Sequence, residues 1–167
     1  MLYVWDYTVN FRHYPHAMPN VYALQGNLKF FRDNKAVAVL AQGGYQGRHA
    51  DFAELKAWLI AKWMWNPDLE MMPLIERFFK GYYGKAAPFV RTYFEELHAL
   101  QSKSSRPLRI YDDPGDSCGD DAFFAGAAEL WRQAEEAVRT ENPVYRRNVR
   151  MGAFAVDYTR FARGTRR

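Results

Sequence analysis

Residues 36–67, AVAVLAQGGYQGRHADFAELKAWLIAKWMWNP, decide the fold that we predict. The first six are apolar without alternation, which is typical of a strand covered on both faces of a parallel sheet. Glycines then break the strand. Asp51 and Glu54 have the spacing of a capping box, which predicts that a long, mostly buried helix begins at Asp51. Asn66 ends this helix, because the residue before Pro67 is pushed out of the helical region.

An earlier strand and helix complete the unit. Leu2–Thr8 is rich in strand-forming residues and lacks a helical period, so it predicts a strand. Apolar residues then recur at helical spacing from Val21 to Phe31, and Asn34 is a plausible C-cap. Strand, helix and strand make a βαβ unit, in which the two strands should be parallel. We therefore predict an α/β fold with helices dominant.

The rest of the chain predicts helices only. Residues 69–101 should form a helical hairpin on the βαβα unit of residues 1–68. Residues 102–121 are a polar, solvated linker, and residues 122–167 should form a helical pair, with Asp120 or Asp121 capping its first helix. The alternative is an all-helical bundle in which the two strand segments dock as irregular stretches.

Composition excludes several classes of protein. Hydrophobic residues make up 49% of the 167 positions and aromatic residues 17%, which excludes a disordered chain. We expect no membrane partner, because no apolar run approaches the roughly 20 residues that span a bilayer. The net charge of +4 comes from arginines spread along the last third without a nucleic-acid motif, so we expect no nucleic-acid partner. Cys118 is the single cysteine and cannot form an internal disulfide.

Several motifs occur in an order that resembles a known family. They are VWDYT at 4–8, PNVYALQGNLKFFRDN at 19–34, LKAWLIAKWMWNPD at 55–68 and FKGYYGKAAP at 79–88. These motifs resemble the bacterial domain-of-unknown-function family 4838, whose members look like glycoside hydrolases of family 20 and α-glucuronidases. The similarity covers roughly Tyr3 to Leu100.

The resemblance implies a partial (β/α)₈ (TIM) barrel. The two strands would be its last two, the helix from Asp51 would close it, and a helical bundle would follow. Such barrels carry paired acidic residues on earlier strands, which this chain lacks. The resemblance therefore implies the C-terminal portion of a carbohydrate-active protein that lines a sugar subsite and is not catalytic alone. The alternative function is a helical protein–protein interaction module with a vestigial sugar site.

Four residues are candidates for contact with the sugar. Asp6 and Asn10 lie at the end of the first predicted strand, and Gln42 and Tyr45 lie at the end of the second. In barrels and open α/β sheets the ligand lies at these strand ends. Trp5 and Tyr7 alternate with Asp6, so they should face the surrounding helices if Asp6 faces the cavity. No catalytic residue can be assigned.

Other candidate sites are weaker. His13 and His16 could offer two nitrogens to a metal, but no third ligand accompanies them. The aspartates between Asp112 and Asp121 do not have EF-hand spacing. We expect neither a metal nor a cofactor. The family resemblance suggests export, yet the N-terminus has no signal-peptide pattern, so the compartment stays open.

The predicted sheet also implies a partner. Two parallel strands with apolar side chains on both faces leave at least one edge of unpaired backbone groups. We therefore expect either a homo-oligomer, with Leu2–Thr8 in the contact, or a complementing barrel segment.

Overall fold

The computed structural model describes residues 1–47 and 49–164. Two strands and six α-helices follow one another in this part of the chain. They are β1 (Leu2–Tyr7), α1 (Val21–Asp33), β2 (Ala36–Gln42), α2 (Ala53–Trp65), α3 (Met71–Tyr83), α4 (Ala87–Lys103), α5 (Asp121–Ala137) and α6 (Pro143–Gly164). The prediction of a helix-dominated α/β chain is confirmed.

The two strands pair in parallel, as the βαβ pattern predicts. Trp5 lies opposite Leu40, and Tyr7 lies opposite Gln42. The crossover helix α1 ends at the predicted C-cap, where the Asn34 amide donates to the carbonyl of Phe30 at 3.0 Å. Because the strands are parallel, both carboxyl ends lie at the same edge of the sheet.

Only one face of the sheet is covered by the described residues. Val39 and Ala41 face the helices and pack against the core. Leu40, on the opposite face, is 49% exposed, so the prediction that β2 is covered on both faces is wrong. The reason is that α1 and α2 lie on the same side of the sheet, and alternating alanine with valine hides the difference between the two faces.

The predicted capping box at the start of α2 is also wrong. The helix begins at Ala53, and no side chain caps it. Asp51 is instead buried, and its carboxylate accepts the Met18 amide at 2.9 Å. The ammonium group of Lys56 lies 3.9 Å from that carboxylate and donates to the Met18 carbonyl at 3.0 Å. A tertiary contact with the loop after β1 has thus replaced the local cap. At the other end, α2 stops at Asn66 as predicted.

The remaining helices form a bundle with a continuous core. α5 packs on α4 and α6, and α3 packs on α4 and α6. Aromatic rings fill the centre, where Phe94 meets Phe52 and Phe79 edge-to-face at 5.4 and 5.3 Å and Tyr93 meets Trp131 at 5.7 Å. The same core reaches α1 through Val21, Leu24 and Leu28.

The cap predicted for the first helix of the C-terminal pair is confirmed. The Asp120 carboxylate caps α5 by accepting the Phe123 amide at 2.7 Å. The Asn142 side chain accepts the Val144 amide at 3.0 Å at the start of α6. Across the described ranges, no helix has the length and apolar character that crossing a membrane requires.

The linker before α5 is less solvated than predicted. Asp112 is buried. Its carboxylate accepts the Arg109 amide at 2.8 Å and the Arg106 guanidinium at 2.9 Å. The Ile110 carbonyl accepts the Phe11 amide at 2.7 Å. The linker is therefore docked against the loop that follows β1.

Candidate functional site

Asn10 holds the loop after β1 in place. Its side chain is buried and donates to the Asp112 carbonyl at 2.7 Å. Its oxygen accepts the amides of Arg12 and His13 at 2.9 and 2.8 Å. These three hydrogen bonds use both ends of the carboxamide, so Asn10 positions the loop and is not presented to a ligand.

Asp6 faces α1 and is partly buried. Its carboxylate accepts the Tyr7 amide at 3.0 Å and hydrogen-bonds to Asn27 of α1. Burial raises the pKa of this carboxyl, and the two hydrogen bonds oppose the rise. The alternation along β1 therefore runs opposite to our expectation, with the acid toward the helices and the aromatic residues on the uncovered face.

Gln42 lies on the uncovered face together with two aromatic residues. The Trp5 indole donates to the Gln42 side-chain oxygen at 2.6 Å. Tyr7 lies opposite Gln42 in the register of the sheet. The indole bond fixes the orientation of the carboxamide and directs its NH₂ group away from Trp5. Gln42 thus offers a fixed donor between exposed rings.

A row of four aromatic rings continues from this face over the carboxyl ends of the strands. Tyr7 contacts Phe11 at 5.2 Å, Phe11 contacts Tyr14 at 5.6 Å, and Tyr14 contacts Tyr45 at 6.4 Å between ring centroids. We call Tyr7, Phe11, Tyr14 and Tyr45 the aromatic row. The loop after β2 passes close to Tyr14 at Gly47, where a Cβ would lie 3.3 Å from the Tyr14 ring. Glycine permits this approach because it has no side chain. The structure thus brings Gln42 and Tyr45 to one surface and leaves Asp6 and Asn10 off it.

Beyond Tyr14 the row borders a hollow of about 390 Å³ against α6. Its walls include Pro15, Met151 and Phe154, so it is mainly apolar. The His49 ring lies 5.9 Å from Phe154, and burial lowers the pKa of this imidazole, which favours its neutral form. Neither ring nitrogen of His49 has a hydrogen-bond partner among the described residues.

His13 and His16 do not converge on a metal. His13 contacts the Tyr158 hydroxyl through Nδ1 at 2.6 Å and the Asp113 carboxylate through Nε2 at 3.1 Å. His16 is buried against Thr159, and burial, together with the charge of His13, lowers its pKa to about 4. Within residues 1–47 and 49–164, no group of three or more potential metal ligands is found.

Sequence reasoning missed part of this surface. It did not consider Phe11, although the three-residue spacing of Phe11 and Tyr14 directly after a strand end is a usable signal. Tyr158 lies 145 residues from His13, and no local pattern connects the two.

Comparison with known proteins identifies the family. Residues 1–95 match the family described as a domain of unknown function, DUF4838. This match covers more than half of the chain. The chain belongs to this family. No curated protein and no solved structure matches it.

The DUF4838 match divides the chain at α4. It includes both strands, Gln42 and all of the aromatic row. Asp113 and Tyr158 lie outside the matched residues. The surface at the carboxyl ends of the strands thus lies within the matched residues, whereas α5 and α6 lie outside them.

Proposed function

We propose that the chain is the C-terminal portion of a glycoside-hydrolase-like, carbohydrate-active (β/α)₈ barrel. In this proposal β1 and β2 are neighbouring barrel strands, and their uncovered face points toward the barrel interior. Gln42 and the aromatic row line a sugar subsite at the mouth. The single observation that carries the proposal is the fixed Gln42 carboxamide beside an unbroken row of aromatic rings at the carboxyl ends of parallel strands.

The chemistry of this surface suits a sugar. Aromatic rings pack against the C–H face of a pyranose, and tyrosine hydroxyls offer a polar edge for its hydroxyl groups. The Gln42 NH₂ group adds a directed donor. Ligands of parallel α/β sheets and barrels bind at this same edge, because the loops that follow the strands converge there.

The chain is not catalytic as a glycosidase by itself in this proposal. Glycoside hydrolysis needs two carboxyl groups about 5 to 9 Å apart around the scissile bond. Asp6 faces α1 and therefore supplies none to the subsite. The catalytic pair would come from the segment that completes the barrel.

Glycan binding tests the subsite directly. We expect the chain to bind members of an array of neutral hexoses, amino sugars and uronic acids. Gln42→Ala and Tyr45→Ala should each weaken binding by about tenfold, as expected for the loss of one or two net contacts. Asp6→Asn should leave it unchanged.

The matched control is Trp65→Ala. Trp65 is 92% exposed at the end of α2, beside the amino end of β2 and away from the subsite. Binding that survives both Gln42→Ala and Tyr45→Ala would contradict the location of the subsite, and an absence of binding to every glycan would contradict the function.

A second candidate is a protein–protein interaction module with a vestigial sugar site. The observation that favours it is the uncovered sheet face, where Tyr3, Trp5 and Leu40 are exposed. β2 also has no charged residue or proline to prevent edge pairing. Either a second copy or a complementing barrel segment would cover this surface. Light scattering at micromolar concentration separates these two partners. Only a second copy gives a dimer of this chain, and Trp5→Lys should dissociate that dimer.

A further inference from the structure

We propose that Tyr158, His13 and Asp113 form a proton relay, in which the Tyr158 phenol is a nucleophile that takes acyl groups from activated esters. The relay is separate from the sugar subsite and outside the DUF4838 match at two of its three residues. It joins the loop after β1, the linker before α5 and the middle of α6.

The hydrogen bonds are compatible with a His13 that acts as the base of the relay. A neutral imidazole has one donor and one acceptor nitrogen. Nε2–H donates to the Asp113 carboxylate at 3.1 Å, which leaves Nδ1 to accept the Tyr158 hydroxyl at 2.6 Å. This arrangement of nucleophile, base and orienting carboxylate is the one that activates hydroxyl nucleophiles in enzymes.

The members of the relay are held by neighbouring contacts. The His13 amide is bound by the Asn10 side chain at 2.8 Å. The Arg12 guanidinium holds Asp113 from the other side at 3.2 Å. Tyr158 lies on α6 with its ring 6.3 Å from Phe154. The side chains of His13 and Asp113 are 21% and 19% exposed, so the relay is partly screened from water but lies at the surface.

The proposed reaction balances without another reagent. The Tyr158 oxygen attacks the ester carbonyl carbon and forms a new C–O bond. Its proton moves to Nδ1 of His13, and the imidazolium is stabilised by Asp113. The bond from the carbonyl carbon to the alcohol oxygen breaks, and the alcohol leaves as its anion or takes the proton from His13. The product is an O-acyl tyrosine, which water hydrolyses to the carboxylic acid.

Several charges act on the relay besides its own members. Arg12 is a positive charge that lies 3.2 Å from the Asp113 carboxylate. His16 lies within electrostatic range of His13, and its pKa of about 4 keeps it uncharged near neutral pH. Asp112, Asp116 and Arg163 act on His16. Of the acidic residues named, Asp113 is the one in direct contact with the His13 ring, at 3.1 Å.

Site-resolved acylation with 4-nitrophenyl acetate tests the proposal in the unaltered chain. Tyr3, Tyr45 and Tyr111 are 67%, 67% and 65% exposed, whereas Tyr158 is partly buried. We expect mass spectrometry of peptides to find acetylation first at Tyr158. Labelling in the order of exposure would overturn the proposal, and this comparison needs no variant to fold.

Variants and a pH profile separate activation from a structural role. His13→Gln keeps polar groups in place but removes the base, and it should slow Tyr158 acetylation by about 100-fold. Tyr111→Phe is the matched control and should not change it. Acetylation of Tyr158 should need less alkaline solution than acetylation of the exposed phenols, because His13 takes the phenol proton. A Tyr158 rate that follows the exposed phenols, or that His13→Gln leaves unchanged, would overturn the proposal.

Discussion

The sheet and the helical bundle bury their apolar surface in different ways. In the bundle, Phe94, Tyr93 and Trp131 have almost no contact with solvent. In the sheet, Tyr3 and Trp5 are among the most exposed large side chains of the described residues. The bundle therefore has the contacts of a complete core, whereas the sheet leaves large apolar side chains in contact with solvent. The proposed sugar subsite lies on the sheet and at its carboxyl edge.

The largest expected difference between the two regions lies in their aromatic side chains. Phe94→Ala removes a ring that packs edge-to-face on Phe52 and Phe79, and should lower the free energy of unfolding by about 3 to 5 kcal/mol. Trp5→Ala removes a ring that is 61% exposed, and should change it by about 0.5 kcal/mol or less. Urea denaturation of both variants measures the two values.

This pair of variants can also contradict the difference that we describe between the sheet and the helical bundle. If Trp5→Ala destabilises the protein by several kcal/mol in a concentration-dependent way, the sheet face is covered by another copy in solution. If Trp5→Ala destabilises the protein by several kcal/mol at every protein concentration, the face around Trp5 is covered within the monomer.

A second prediction concerns His98, which joins α4 of the bundle to α1, the helix that connects the two strands. Its Nδ1–H donates to the Phe94 carbonyl at 2.8 Å, and its Nε2 accepts the Val21 amide at 3.3 Å. Burial lowers its pKa to about 4 from the ordinary 6.5, so the unfolded chain binds the proton more readily. The stability that neutral His98 provides is therefore complete above pH 6.5 and is lost as the pH falls from 6.5 to 4, by at most about 3 kcal/mol.

Denaturation at several pH values tests this window. His16, whose pKa is also lowered to about 4, adds to the same loss. Asp51 acts in the opposite sense, since burial raises its pKa and the folded state takes up its proton more readily. His98→Gln removes one titration while keeping a donor and an acceptor, so it should flatten the profile. A profile with the same slope as the unaltered protein would show that His98 is not the group responsible.

The sequence predicted element types well because periodicity and caps are local. Apolar spacing located α1 and the parallel strands, and Asp120 marked a helix start. Asp51 had the same kind of local signal, yet its carboxylate binds Met18 and faces Lys56. A capping pattern cannot reveal that a distant amide competes for the same oxygen.

The candidate site was predictable in position and not in detail. Gln42 ends β2 and Tyr45 follows it, and both lie at the carboxyl edge of the sheet. The alternation of Trp5, Asp6 and Tyr7 showed that β1 has two different faces, but it could not show which one meets the helices. Side-chain pairs such as His13 with Tyr158 depend on how α6 docks, which no local pattern encodes.

The last prediction concerns glycine-to-alanine substitutions at three helix positions, on α6, α1 and α5. On α6, a Cβ at Gly152 would lie 2.3 Å from the Trp131 ring, so Gly152→Ala should destabilise the bundle by about 1 to 3 kcal/mol. Gly26 on α1 and Gly126 on α5 have nothing within 4 Å of a Cβ, and alanine there should stabilise the protein by about 0.5 to 1 kcal/mol, because it removes conformational freedom from the unfolded chain. Thermal denaturation of the three variants measures the signs. A neutral Gly152→Ala would mean that the Trp131 ring can move, and that the bundle core is looser than its contacts indicate. A destabilising Gly26→Ala would instead mean that another segment packs on α1 in solution.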